Sequence, residues 1–489
     1  MRTTGLLLPI FSLPSNQGIG DLGLHCNRLI DQLNKTHVKI WQILPFNPSG
    51  YGHSPYQPFS SFAGDEIYLS LDRLADDDLI KRSSIKNCNK FVERVDYESV
   101  RAFKEPYYRK AFRVFKKDFN RFKNDYDQFL KEAFWLENYA TFMSLKKQFN
   151  NEAWTTWPKE AKHFVKHPQE YDITNIKDEI EYHKFLQFIF FRQWKIVKDY
   201  ASSKEVSIMG DVPFYVGLDS ADVWENQDDF LLDQEGYPTH VAGVPPDYFS
   251  ADGQRWGNPL YDWDKMKKDG YTFWMKRLGW NAKHFDMIRI DHFRAFDTYW
   301  KIPSYCSTAR EGEWILGPAY DFFDTLYQNF ENIFIVAEDL GDIRKEVIEL
   351  KDHYNLYGMK VLQFELEPKM LKASYNPHVI YYTGTHDNDT IENYYISLDH
   401  NHRLRVRRYF KRLGIEGRYF YEIAIKYCLN SKAEVVIIPS WDLLGSKDGR
   451  MNIPGIIDER NWSWKLKNNK ALFASLEKIA PWIIEANRD

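Results

Sequence analysis

Four short stretches set a carboxylate at the end of an apolar run, three of them with histidine, arginine or an aromatic residue within three positions. They are GDVPFYV with Asp211, RIDHF with Asp291, AEDLG with Glu338 and GTHDN with Asp387. The densest is FDMIRIDHFR, where Met287, Ile288 and Ile290 suit a buried strand and Arg289, Asp291, His292 and Arg294 crowd against it. Charges held against a buried strand cost free energy unless they are paired, so such a stretch is either a structural ion pair or a site. One stretch alone is compatible with either; four, each at the end of an apolar run, favour a shared site. A hard divalent cation would suit so many oxygens, but Arg289 and the neighbouring histidines would repel it. Phosphoryl transfer would need a GxxxxGK[ST] loop and dinucleotide chemistry a GxGxxG turn, and the chain has neither. Glycoside cleavage needs an ionised carboxylate, a protonated acid and polar groups that hold a distorted sugar ring. Arg289, two residues before Asp291 and on the same strand face, is expected to keep that aspartate charged.

Carboxylates so far apart in sequence need a scaffold that gathers strand ends. Apolar, β-branched runs at 5–9, 39–45, 207–215, 287–292, 333–338, 359–365, 379–386 and 434–439 alternate with helical segments, the pattern of parallel βα units. Eight of them predict a (β/α)8 TIM barrel, an α/β fold whose strand C-termini meet at one mouth, with Asp211, Asp291, Glu338 and Asp387 on the third, fourth, fifth and seventh strands. The expected organisation is one barrel over residues 1–489 with two insertions. The first, 50–205, is mainly helical. In it Phe112, Phe115, Phe119, Phe122, Tyr126, Phe129, Ala133, Leu136, Ala140 and Met143 recur in steps of three and four, which predicts one long amphipathic helix. A second helix is expected over 179–202 and a last one over 471–484. The second insertion, 217–264, is rich in Pro, Gly, Asn and aromatics and reads as a loop over the active site rather than helix or strand.

Composition narrows the partners. A net charge of -4 gives no general attraction to nucleic acid or to an anionic membrane. The opening MRTTGLLLPIF has an apolar run too short for a signal core or a membrane span, so a cytoplasmic protein is expected. Cys26, Cys88, Cys306 and Cys428 are scattered, with no CxxC or HExxH, so no disulfide frame or zinc site is indicated. Aromatics at 17%, including 16 Trp and 31 Tyr, exceed what a core needs and hint at flat surfaces for sugar faces.

In that order, GDVPFYV, RIDHF, AEDLG and GTHDN closely resemble the 4-α-glucanotransferases of the amylomaltase or disproportionating-enzyme type, glycoside hydrolase family 77, in the α-amylase clan. The resemblance extends through SLPSNQGIGDLG, WQILP, GYGHSPYQPFSSFAGD, AGVPPDYFSADGQRWGNPLYDW, GRMNIPG and NWSW, and so covers nearly the whole chain. It implies a retaining double displacement on α-1,4-glucans without a cofactor or metal, with maltooligosaccharides or longer glucans as donors and glucose or glucan as acceptor. By resemblance Asp291 is the nucleophile, Glu338 the acid and later base, and Asp387 the carboxylate that binds ring hydroxyls and stabilises the transition state. Tyr56, Asp211, Arg289, His292, His386 and Asn452 match residues around the cleaved sugar, Trp256 a loop over the acceptor side, and Tyr51 an aromatic at a more distant glucan-binding surface. His53 and Pro58 stand where the family often has Asp and Ser, and Asp65 where it often has Asn. The chain ends about fifty residues after the eighth strand, which leaves no room for the β-sandwich that follows the barrel in amylases.

The same carboxylates would also serve a retaining α-glucan hydrolase, because the glycosyl-enzyme partitions between water and sugar according to how dry the acceptor side is. The long 217–264 segment favours transfer. A catalytically inactive glucan-binding scaffold, the reading from another class, is disfavoured because all three carboxylates are present.

Overall fold

The computed structural model describes residues 2–88, 93–246, 250–371 and 375–489, and within them every side chain but those of Tyr51 and Pro368. Eight parallel strands form one sheet: β1 (Thr3–Leu7), β2 (Ile40–Gln42), β3 (Ser207–Val212), β4 (Met287–Ile290), β5 (Ile335–Ala337), β6 (Gly358–Val361), β7 (Val379–Tyr382) and β8 (Val435–Pro439). Their spatial order is β6-β7-β8-β1-β2-β3-β4-β5, and a parallel bridge between Val336 and Tyr357 joins β5 to β6 and closes the barrel. Strands such as VIYY and VVIIP are buried at every position, as parallel strands covered on both faces must be. Each of the eight expected runs overlaps one of these strands; β1 and β6 begin before their runs, at Thr3 and Gly358, and the other six lie within theirs. Residues after the ladder turn outward to build the mouth.

Helices α1 (Leu24–Lys35), α2 (Tyr97–Lys117), α3 (Phe119–Glu132), α4 (Leu136–Gln148) and α5 (Lys177–Ser203) precede β3 or lie in the first insertion, and α6 (Phe420–Leu429) and α7 (Lys470–Glu485) flank β8. The single long helix expected from the aromatic seam is instead α2, α3 and α4. The chain turns at Asp118 and again at Ala133, where the dihedrals leave the helical region. Phe115 and Tyr126 would lie about 16 Å apart along a straight helix, yet their ring centroids are 5.4 Å apart, so α3 folds back on α2. The seam is still the buried face. Phe112, Phe115, Phe122, Tyr126 and Phe129 pack with Phe185, Phe188 and Phe191 of α5 in the main core.

α5 locks this insertion onto the segment that leaves β2. Gln187 exchanges two hydrogen bonds with the backbone of Gly64, at 2.9 and 2.8 Å, and Gln193 does the same with Ser70. Gly64 is required there, because a Cβ would fall 2.1 Å from the Phe190 ring.

The second insertion departs from the loop expected. Besides a short helix, Ala221–Glu225, it holds strands His240–Val244 and Gln254–Pro259, which pair antiparallel with each other. With Thr298–Pro303 and Glu313–Leu316 they make a four-stranded sheet beyond the end of β4, with its own small core of Val241, Ile302, Cys306 and Ala309. Its central pairing, of His240–Val244 with Thr298–Pro303, joins segments some sixty residues apart in sequence, and a bulge at Gly243 brings the neighbouring strand so close that a Cβ would meet Gln254 O at 2.2 Å. Part of this insertion, residues 247–249, lies outside the described residues. Among the described residues no helix is long and apolar enough to cross a membrane.

Candidate active site

Ladder bonds carry the strands past their ends and fix the carboxylates. Asp291 N donates to Val212 O at 3.0 Å, Glu338 N to Ile290 O at 3.1 Å and Phe293 N to Glu338 O at 3.2 Å. His292 then takes a left-handed conformation, φ 51°, which a non-glycine residue adopts only when its surroundings impose it. The turn aims its backbone N–H at Glu338 Oε2, 2.8 Å away.

Arg289 lies beneath. Its Nη1 donates to both oxygens of Asp211 at 2.7 and 2.9 Å, and its Nη2 to Asp291 Oδ1 at 2.9 Å. The other Asp211 contact is the Tyr56 hydroxyl, which donates at 2.7 Å and also meets His386 Nδ1 at 3.4 Å. His386 Nε2 faces Asp387 Oδ2 at 3.4 Å, and Asn452 Nδ2 donates to Asp387 Oδ1 at 2.7 Å. One polar chain therefore runs from Asp291 through Arg289, Asp211, Tyr56 and His386 to Asp387 and Asn452. Asp211 and Arg289 are buried, so they orient Asp291 and Tyr56 from below. Asp291 and Asp387 keep 30% and 46% of their side chains open.

These environments separate the three carboxyls. Burial pushes Glu338 up to about 8; Arg289 opposes this, Asp291 adds to it, and its one direct donor among the described residues is the His292 amide. Burial also raises Asp291, with Asp211 and Asp387 adding and Arg289 opposing. Arg289 does act on Asp291 in the direction expected, toward the charged form, but against an opposing burial. Because Asp291 accepts a charge-assisted bond from Arg289 while Glu338 accepts from an uncharged backbone amide, Glu338 is the member of the pair that holds a proton. Burial would raise Asp387 as well, but His386 and Asn452 outweigh it and bring its carboxyl to about 2. His386 moves up, because Asp387 overcomes the effect of burial; a doubly protonated ring satisfies both Tyr56 and Asp387. Burial, with Arg294, draws His292 down to about 3, and its neutral Nε2 has no hydrogen-bond partner among the described residues.

Asp291, His292, Tyr56, His386, Asp387, Asn452 and Trp256 all line one cavity of about 250 Å3. Trp256 stands edge-on to the His292 ring at 4.9 Å. Tyr51 begins the short turn Tyr51–His53, and its side chain lies outside what is described. His53 stacks on Tyr97 at 4.6 Å, and Asp65 is buried against Arg101 at 2.8 Å, so two of the three family departures serve packing and pairing. Sequence reading missed Trp462, whose ring lies 5.6 Å from Tyr56 and 5.8 Å from His386. It also missed Asp442, which accepts from Thr383 Oγ1 at 2.6 Å and Ile391 N at 2.7 Å and so pins the loop that carries Asp387. The NWSW motif pointed to the first; nothing local pointed to the second. Among the described residues no group of three or more His, Cys, Asp or Glu could hold a metal ion.

A protonated acid, an ionised carboxylate and a second carboxylate held ionised, around a polar cleft with aromatic walls, can support retaining glycosyl transfer. The family model described as 4-alpha-glucanotransferase, glycoside hydrolase family 77, matches residues 8–471. The chain is 40% identical over 477 residues to 4-alpha-glucanotransferases of Synechocystis sp. and Thermus thermophilus, covering 95% of this chain and 94% and 95% of those proteins. Its fold matches that of the amylomaltase from Streptococcus agalactiae in complex with acarbose at a TM-score of 0.93, with 32% identity and full coverage of both chains.

Proposed function

The chain belongs to the 4-alpha-glucanotransferase family, and from this premise we propose how its residues divide the work of moving a segment of an α-1,4-glucan to the 4-hydroxyl of an acceptor glucose or glucan. Glu338 gives its proton to the glycosidic oxygen as the C1–O4 bond breaks, and Asp291 forms a bond to C1. The departing glucan leaves. Glu338, now a carboxylate, takes the proton of the acceptor 4-hydroxyl as that oxygen attacks C1 and Asp291 departs. Two inversions restore the α configuration. Asp387, ionised at any working pH, faces the positive charge that develops on the ring, and His386, Asn452 and Tyr56 hold it in place. The observation that carries this reading is the contrast between two neighbouring carboxyls: Asp291 accepts a charge-assisted bond from Arg289, whereas Glu338, pushed up to about 8 by burial, accepts from a backbone amide.

Incubation with maltotriose tests it. A ladder of longer maltooligosaccharides together with glucose is expected. Maltose and glucose alone would mean that water takes the glycosyl group and that the chain is a hydrolase. Four unpaired cysteines fit a reducing, cytoplasmic setting, which cell fractionation checks.

A further inference from the structure

A second cavity, of about 440 Å3, adjoins the first and shares three of its walls, Gln57, Trp256 and Asn258. Its size falls within the range of about 300 to 1,000 Å3 usual for small-ligand sites. Trp256 is the partition between the two. Its edge meets the ring of His292, the residue whose amide holds Glu338, so Trp256 stands on the side of the cleft that the leaving and entering glucans share. What lies past it lies on the acceptor side.

The chamber is built from polar groups with capacity to spare. Lys146, 3% exposed at its side chain, points its Nζ over the Phe59 ring at 5.0 Å and donates to Asp219 Oδ2 at 2.5 Å and to Glu152 O at 3.1 Å. An ammonium has three N–H donors, so among the described residues one has no acceptor. Asp219 accepts from Trp154 N at 3.2 Å on its other oxygen, which leaves about two of its four lone-pair positions open, and a third of its side chain is exposed. A paired ammonium and carboxylate beside an aromatic ring match a neutral polyol with one apolar face better than they match an ion. Gly50, Gly217 and Gly257 border the space, so no side chain from those positions fills it.

We propose that the cleft continues past Trp256 into this chamber, where Lys146, Asp219 and Phe59 receive the sugar units of an acceptor glucan beyond the one that reacts, and that the chamber thereby sets the preference for acceptor length. The inference rests on the transferase reading of the first cavity. Gly217→Leu tests it without touching the ion pair: a Cβ there meets Pro58 O at an ordinary 3.5 Å, so the backbone accepts it and the side chain enters the chamber. Lys146→Met is the complementary variant, and it removes the free donor. With a maltosyl fluoride donor blocked at its terminal 4-hydroxyl, kcat/KM is measured for glucose and for maltotriose as acceptors. Both variants are expected to lower the maltotriose-to-glucose ratio about fivefold or more, the scale of one lost hydrogen bond. A purely structural role would lower both values together, and an unchanged ratio in Gly217→Leu overturns the proposal. If the unmodified enzyme transfers to no acceptor, the transferase reading fails and this inference falls with it. An unchanged ratio in a transferring enzyme sinks this inference alone.

Discussion

Glu338 is the residue on which both activity and stability should show their pH dependence. Its carboxyl must be protonated when the donor binds, so kcat/KM for a maltooligosaccharide donor is expected to fall as the pH rises through about 8. Glu338→Gln removes the acid but leaves Asp291, so natural donors should lose activity by several orders of magnitude. An activated glycosyl fluoride should still glycosylate Asp291, and without the alkaline limb. Failure of mass spectrometry to find any glycosylated Asp291 in that variant would falsify the assignment of the pair. The same shift sets a stability trend. A carboxyl raised from 4.5 to about 8 binds more protons in the folded than in the unfolded state between those values, so it destabilises the fold progressively as the pH rises through that window and no further above it. Glutamine does not titrate. The melting temperature of Glu338→Gln minus that of the unmodified protein should therefore grow from pH 5 to pH 8 and then level. A difference that is flat with pH would mean that the carboxyl is not held protonated.

At the scale of elements, what was legible in the sequence and what was not divide by the range of the interaction. The eight barrel strands are legible because each is a local apolar run buried on both faces, and the same runs assign the carboxylates to strand ends. Asp211, Asp291, Glu338 and Asp387 do gather at one end, but that two of the residues there, Arg289 and Asp211, would be buried beneath the cleft depends on packing that no spacing shows. The aromatic seam of α2, α3 and α4 gave the buried face correctly and the axis wrongly, because periodicity reports which residues face inward and is blind to where the chain reverses. The antiparallel sheet was missed because its strands look loop-like on their own, with Gly243 at a bulge and Pro259 at a strand end, and because its central pairing joins His240–Val244 to Thr298–Pro303, some sixty residues further on. That sheet carries the test at this scale. Trp256 sits on the strand Gln254–Pro259, its indole N–H donating to Gln254 Oε1 at 3.2 Å, and its position is fixed by the sheet rather than by a free loop. An indole that stacks on an acceptor sugar also displaces water from it. Trp256→Ala should raise the ratio of hydrolysis to transfer on the order of tenfold, the scale of an aromatic contact worth about 1.4 kcal/mol, while glycosylation of Asp291 by the fluoride donor proceeds. An unchanged ratio would leave Trp256 a packing residue and move the acceptor position elsewhere.

For the whole molecule, the end of the barrel remote from the carboxylates holds the chain together. Arg488, fully buried after α7, uses all five of its N–H groups on backbone carbonyls. Nε donates to Leu429 O at 2.7 Å, Nη1 to Thr3 O and Glu434 O at 3.3 and 3.2 Å, and Nη2 to Ser431 O and Ala433 O at 3.1 and 2.6 Å. One side chain thus joins the C-terminus of α6, the start of β1, the approach to β8 and the last helix. A cation at a helix C-terminus also meets the negative end of its dipole. Burial draws this guanidinium down to about 10, which still leaves it charged at neutral pH. Arg2 shares two of the acceptors, Leu429 O and Ser431 O, and Glu434 O also receives Thr3 N, so loss of Arg488 would not orphan every carbonyl. Arg488→Met is therefore expected to cost on the order of 2 to 4 kcal/mol, from a few charge-assisted bonds and the carbonyls left without a donor, and to lower the melting temperature by several degrees. Arg488→Lys, with three donors on one atom, should recover only part of this. The strands between Arg488 and the mouth span about 16 Å, and none of the polar chain around Asp291 touches this end. The initial rate of maltotriose disproportionation at moderate temperature should then stay within about twofold, with its alkaline limb still near 8, while the half-life at elevated temperature shortens. A shifted pH limb in Arg488→Met would mean that the two ends of the barrel are coupled and that the carboxylates depend on how tightly the ring of strands is closed.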